Sequence, residues 1–165
     1  MNLQRLFTHL ITPDWFARRR FSSADLTAIT NAIAASETRH RGELRFVIEG
    51  ALPVTALWHQ QTARQRAVQL FSELRVWDTV DNSGILIYVQ LIDRHVEILA
   101  DRGINACVAQ GEWDAICREM ETAFGTGQWR DGAVKAITRA GNLLAQYFPA
   151  GADNHNELPD APLVI

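Results

Sequence analysis

Residues 77–104 read WDTVDNSGILIYVQLIDRHVEILADRGI, and they decide the fold class because they alternate as a β-hairpin. Taking Asp93-Arg94 as a two-residue turn sets Leu91 opposite Val96, Val89 opposite Ile98 and Ile87 opposite Ala100, which makes one face wholly apolar. The other face then pairs Gln90 with Glu97, Tyr88 with Leu99 and Leu86 with Asp101, so the period of two holds along both strands. The same register gathers Asp78, Asp81, Asn82 and Asp101 near one rim of the sheet.

Working outward, Leu44 to Glu49 alternates as a strand that Gly50 and Pro53 bring to an end. A helix from about Trp58 to Leu74 follows, with Ala63, Ala67, Leu70, Phe71 and Leu74 on one face. Strand, crossover helix and strand make a βαβ unit whose two strands run parallel, so Glu43 starts at the same end as Gly84, and the returning hairpin strand finishes there at Asp101. Glu43, Asp81 and Asp101 therefore arrive at one rim from three separate pieces of chain. Upstream, Ser22 and Asp25 form a capping box that opens a helix carrying Leu26, Ile29 and Ile33, which closes in the polar run Glu37 to Arg41 and a left-handed turn at Gly42. Downstream, Glu112 to Phe124 turns Trp113, Ile116, Cys117, Met120 and Phe124 inward. After the break at Gly125 and Gly127, Arg130 to Tyr147 turns in Val134, Ile137, Leu144 and either Tyr147 or Phe148.

Helices before, between and after the strands predict an α/β fold, a three-layer α/β/α sandwich with a small mixed sheet of a βαβ unit plus an antiparallel hairpin. We divide the chain into an amphipathic helix and basic loop over residues 1–21, one domain over 22–148, and a Pro- and Asn-rich tail over 149–165 that either wraps the domain or stays loose. At 165 residues and 47% hydrophobic content, one core is sufficient without disulfide or metal staples. A formal net charge of −3 offers no broad field for nucleic acid. Cys107 and Cys117 fit no zinc spacing and read as reduced thiols, Cys117 as part of the core. His40, His59 and His95 read as surface or turn residues, and Trp113 and Trp129 as core staples at helix starts.

At the start, Leu3, Leu6, Phe7 and Leu10 keep helical spacing, but Gln4, Arg5, Thr8 and His9 interrupt the apolar run, which stops before Pro13 and is no signal peptide. No window approaches the roughly 18 to 20 apolar residues of a membrane span, so a soluble, cytoplasmic protein is expected. Two readings of the start stay open. It is a short helix docked on the domain with Arg18, Arg19 and Arg20 in a solvated loop, which we favour, or an amphipathic helix lying on an anionic membrane surface.

Asp81-Asn82-Ser83-Gly84-Ile85-Leu86-Ile87, Val96-Glu97-Ile98 with Ala100-Asp101-Arg102-Gly103-Ile104, then Trp113 and the Gly127 to Gly132 turn, follow in an order and spacing that resemble the TPM domain. Glu37 and the Gly42-Glu43 pair fit the same pattern, and the likeness spans about Ser22 to Phe148. Phe148-Pro149-Ala150 and Asn156-Glu157-Leu158-Pro159-Asp160 are similar to the short bacterial members without signal peptide or membrane segment. The resemblance implies an α/β sandwich, a link in plant chloroplast relatives to photosystem II repair, acid phosphatase activity in some members, and divalent cations, chiefly calcium, at acidic residues by the sheet. Carried over, the implied metal ligands are Asp81 and Asp101, with Glu43 and Asp78 around them. Relatives studied for that chemistry work outside the cytosol, where free calcium is abundant, which leaves magnesium, a protein partner or no ion open for this chain.

Calcium accepts six to eight oxygens from carboxylate, amide and backbone carbonyl, which Asp78, Asp81, Asn82, Asp101 and a carbonyl near Gly103 can supply. A phosphatase also needs a nucleophile or activated water and donors for the phosphoryl oxygens. Asp81, Asp101 and Arg102 are the catalytic candidates and Arg45 a further donor, but no phosphate cradle or nucleophile set accompanies them. The bland alternative is that Asp78, Asp81 and Asp101 cap loops and Asn82 and Gly84 supply turn chemistry. The rim also lies opposite the strand ends where open α/β sheets usually take ligands. We therefore expect an accessory or binding module with no organic cofactor that assists membrane-protein maintenance or assembly through a membrane-protein partner. A metal-dependent phosphatase acting on phosphomonoesters is the alternative.

Overall fold

In the computed structural model, which describes residues 3–13, 15–151 and 155–165, β1 (Leu44–Glu49) and β2 (Ile85–Gln90) pair in parallel, and β3 (His95–Ala100) runs back antiparallel beside β2. The expected βαβ unit and hairpin are both present, and the strand order is β3-β2-β1-β4. The fourth strand, Leu163–Val164, pairs in parallel with Val47 and Ile48 of β1. The tail thus wraps the domain and closes the open edge of β1. Residues 152–154 of the tail lie outside the described residues.

Pairing in the hairpin differs from expectation by two residues: Ile87 faces Ile98, Val89 faces Val96 and Ile85 faces Ala100. The connection is four residues long, because Leu91 donates its N–H to the Glu49 carbonyl at 3.0 Å and so stays bonded to β1. Asp93 N–H is held by Gln90 Oε1 at 2.9 Å, and Arg94 turns the chain at φ 53°. A slip of two leaves every side chain on its own face. Ile85, Ile87, Val89, Val96 and Ile98 therefore enter the larger core, and Leu86, Tyr88 and Leu99 the smaller one.

Helices α1 (Leu3–Ile11), α2 (Trp15–Arg20) and α3 (Ser23–Glu37) precede the sheet, and α4 (Val54–Trp58) and α5 (Ala63–Glu73) make the crossover. After the hairpin come α6 (Arg102–Asn105), α7 (Gln110–Gly125) and α8 (Trp129–Tyr147). The Ser22–Asp25 capping box is formed at the start of α3. The crossover was expected as one helix from Trp58; Gln60 at φ 52° breaks it, and a second capping box, Thr62 with Gln65, starts α5. Arg18 to Arg20 lie not in a loop but in the last turn of α2. The larger core packs one sheet face against α3, α7 and α8, and α5 covers the other face with Ala63, Ala67 and Leu70.

Much of the inward face of α8 consists of Gly132, Ala133, Ala136, Ala140 and Gly141, which brings the α3 backbone close. A Cβ at Gly141 would stand 1.8 Å from Ser36 Oγ. Phe148, rather than the exposed Tyr147, packs against the core. Gly42 is not left-handed as expected; its missing Cβ would fall 2.4 Å from Leu144 Cδ2, so close approach is what requires glycine. His40, read as a surface or turn residue, follows a turn but is fully buried, donating through Nδ1 to the Gly42 carbonyl at 2.9 Å while Nε2 accepts from Ser36 Oγ at 2.9 Å. Both cysteines are free thiols, and burial pushes Cys117 up to about 12, which suits a core role.

Candidate functional site

At the amino ends of β1 and β2 the backbone converges as the sequence predicts. Ile85 N–H donates to the Glu43 carbonyl at 2.8 Å, and Asp101 N–H to the Gly84 carbonyl at 2.8 Å. The side chains then part company. Asp78 pairs with Arg75 at the surface, and Asp81 with Arg41 Nη1 at 3.2 Å. Glu43 turns under the tail, where its two oxygens accept the N–H groups of Glu157 and Leu158, each at 3.1 Å. Arg45, a suggested phosphate donor, is buried and spent on the tail carbonyls of Pro159 (2.9 Å) and Ala161 (2.5 Å).

What remains together is one tight turn. Asn82 sits at φ 52° and accepts Arg102 Nε through its side-chain oxygen at 2.9 Å. Gly103 N–H donates to the Asn82 carbonyl at 2.9 Å, and a Cβ at Gly103 would lie 2.6 Å from the carbonyl oxygens of both Asp81 and Asn82. Asp101 caps α6 with Oδ1, which accepts Arg102 N–H at 2.7 Å, while its Oδ2 is buried without a hydrogen-bond partner among the described residues. Also among the described residues, no three His, Cys, Asp or Glu side chains form a metal-binding group. A cation here would draw on Asp101, the Asn82 side chain and peptide carbonyls rather than on a ring of carboxylates.

Beside this turn, Glu37 and Glu43 form a buried acidic pair. Burial pushes Glu37 up to about 8; the Leu44 N–H on its Oε1 at 3.1 Å works against that, and the charges of Glu43 and Asp160 add to it. Burial likewise raises Glu43 to about 7, against the two N–H groups of the tail. Asp160 joins this group only because the tail folds back, which no local pattern announces.

At the opposite end of the sheet the carboxylates are locked to cations. Glu49 takes a two-pronged arginine, Arg66 Nη2 at 2.7 Å and Nε at 3.1 Å, plus the Tyr88 hydroxyl at 2.5 Å. Asp93 takes Arg5 and His9; burial alone would raise its carboxyl, but the hydrogen bonds from His9 and Arg5 hold it well below the usual range. A cavity of about 530 Å³ opens here, between the N-terminal helices and the end of α7, lined among others by Phe16, Arg20, Leu91, Arg94, Glu121 and Trp129. These residues come from four parts of the chain, so no local pattern groups them. Glu49 and Arg66 did carry a signal: each is a charge in phase with an apolar face, Glu49 with Val47 and Arg66 with Ala63, Ala67 and Leu70.

The TPM domain model matches residues 18–143. The NMR structure of the BA42 protein from the psychrophilic bacterium Bizionia argentinensis is 30% identical, with a TM-score of 0.76 over 88% of this chain and 95% of that one. The solution NMR structure of the N-terminal domain of a P. gingivalis protein superposes with a TM-score of 0.61 over 90% of this chain and 96% of that one, at 15% identity, and is similar in fold. Among curated proteins there is no match.

Proposed function

The chain belongs to the TPM domain family, and we propose that it acts as a binding module, accessory to a membrane-bound protein partner, that seats one divalent cation at the rim. The observation that carries the cation is Asp101 Oδ2, a buried carboxylate oxygen with no donor among the described residues, on the same tight turn in which Gly103 is pressed against the carbonyls of Asp81 and Asn82. A buried acceptor left without a partner costs on the order of 1–3 kcal/mol, more when charged, and a hard cation offsets that cost. Mixed carboxylate, amide and carbonyl oxygens suit calcium, whereas magnesium demands stricter octahedral geometry and keeps more of its water. The cation would supply a fixed positive charge and hold the 78–84 loop in one shape for a partner.

Phosphoryl transfer is the less supported reading, because the rim arginines are already engaged. Arg102 is bonded to Asn82, Arg41 to Asp81 and to the Pro149 carbonyl, and Arg45 to the tail. Transferring phosphoryl groups require such donors free and aimed at the developing charge.

The test is a titration of calcium, then magnesium, followed by amide chemical shifts. Saturable shifts confined to residues 80–84 and 101–103, lost in Asp101→Asn, are expected. Shifts absent or spread without pattern would dismiss the cation. Metal-dependent hydrolysis of a generic phosphomonoester that drops about tenfold or more in Asp101→Asn would move the assignment to the phosphatase.

A further inference from the structure

The N-terminal helix is docked with its polar side inward. Arg5 reaches Asp93 at 2.8 Å and the Gln61 carbonyl at 3.0 Å. His9, buried, accepts the Leu52 N–H through Nδ1 at 3.0 Å and meets Asp93 through Nε2 at 3.1 Å. Leu6 packs on Leu52, Ala56 and Leu57. What α1 turns outward is its apolar side: Leu3, Phe7, Leu10 and Ile11 are 66%, 65%, 57% and 61% exposed. At 3.6 residues per turn these four share an arc of about 100°. Surface helices of globular proteins bury that stripe, and a contiguous apolar face left in water marks an interaction surface.

Charge decides what covers it. Residues 1–21 hold four of the sixteen basic side chains, Arg5, Arg18, Arg19 and Arg20, and one of the nineteen acidic ones, Asp14, so a positive end is joined to a body that is negative overall. With Arg5 committed to Asp93, the exposed cations are the three arginines ending α2. Exposed Trp15 lies beside them, with Arg19 5.6 Å from its ring. Trp58 and Val54 are exposed on α4, the helix that Leu6 contacts. An apolar stripe with arginines and amphipathic tryptophans next to it matches the layers of a bilayer surface: acyl chains, interface, anionic headgroups.

We propose that α1 and α2 dock this protein peripherally on an anionic lipid surface, with Leu3, Phe7, Leu10 and Ile11 entering the acyl boundary and Arg18 and Arg19 meeting the headgroups. Arg5 and His9 orient the helix by fastening its other side to Asp93, so the stripe is presented by a folded body. The docking face is separate from the acidic rim and needs no cation there.

The experiment is co-sedimentation of the full chain, in the presence of EDTA, with vesicles of phosphatidylcholine alone and of phosphatidylcholine mixed with phosphatidylglycerol. The protein should pellet with the mixed vesicles and stay in solution with the neutral ones, and added salt should weaken binding. Phe7→Ser with Leu10→Ser should reduce binding about tenfold or more, since each side chain gives up apolar burial. Arg18→Gln with Arg19→Gln should reduce it about tenfold and flatten its salt dependence. All four positions are exposed, so the variants should keep the parent's urea midpoint. Equal binding by parent and Phe7→Ser/Leu10→Ser protein, or equal binding to neutral and anionic vesicles, overturns the proposal. So does absence of vesicle binding together with a concentration-dependent dimer that the same two substitutions abolish, which would assign the stripe to a second copy of the chain.

Discussion

Glu43 and Glu49 bracket the same strand, point to the same side of the sheet and are both buried, yet their surroundings differ in kind. Glu49 has an arginine fork and a phenol hydroxyl. Glu43 has two peptide N–H groups from the tail and, nearby, the charges of Glu157 and Asp160. One end of the sheet is a closed ion pair, while the other holds carboxyl groups that retain protons near neutrality and, in Asp101, an oxygen with no donor among the described residues. The same residue type thus serves as structure at one end and as a responsive group at the other, according to whether the fold brings a cation to it.

Of the two ends, the closed one should show the larger effect. Arg66→Ala strands Glu49 as a buried, partly unpaired charge and should cost about 3–5 kcal/mol in urea unfolding. A cost under about 1 kcal/mol would mean that Glu49 is not locked in the way described.

At the open end the effect is one of pH. Between 4.5 and about 8 the folded chain holds a proton on Glu37 that the unfolded chain has released, and Glu43 does the same up to about 7. Stability from these raised groups is complete below 4.5 and falls as pH rises through 7 and 8. Glu37→Gln should remove most of that decline and stabilise the protein at the alkaline end by on the order of 2 kcal/mol. His40 sets the opposite flank: burial lowers it to about 4, so stability is lost as pH falls from 6.5 through 4. A melting profile that is flat from pH 5 to 9 would contradict the assignment of Glu37 and Glu43.

Smaller changes are expected at the rim turn and at Glu97 on the hairpin edge. Asparagine caps a helix about as well as aspartate, so Asp101→Asn should alter stability by less than about 1 kcal/mol while abolishing cation-induced shifts. Glu97 is paired with Arg64 and His95 at the edge, so Glu97→Lys should cost about 0.5–1 kcal/mol in denaturation. Ile98→Asp, by contrast, should unfold the chain. Equal effects at positions 97 and 98 would mean that the sheet faces are wrongly assigned.

How far the sequence discloses this arrangement depends on the distance over which each feature is encoded. Strand alternation and capping boxes are local, so β1, the hairpin faces and the start of α3 are readable directly. The hairpin register is not, because a four-residue turn and a two-residue turn give the same faces, and Leu91 prefers its bond to Glu49. The small residues of α8 carry little apolar signal although they set its contact with α3. At the site, backbone convergence of Glu43, Gly84 and Asp101 follows from topology. The destinations of the side chains depend on the tail, whose return along β1 brings Glu157, Leu158 and Asp160 to residues far away in sequence.

The contrast between the two ends is tested most directly by following side-chain carboxyl carbons of the glutamates by NMR as a function of pH, without divalent cations. Midpoints are expected at about 8 for Glu37 and at about 7 for Glu43. Midpoints for both in the ordinary carboxylate range, about 4 to 5, would contradict it.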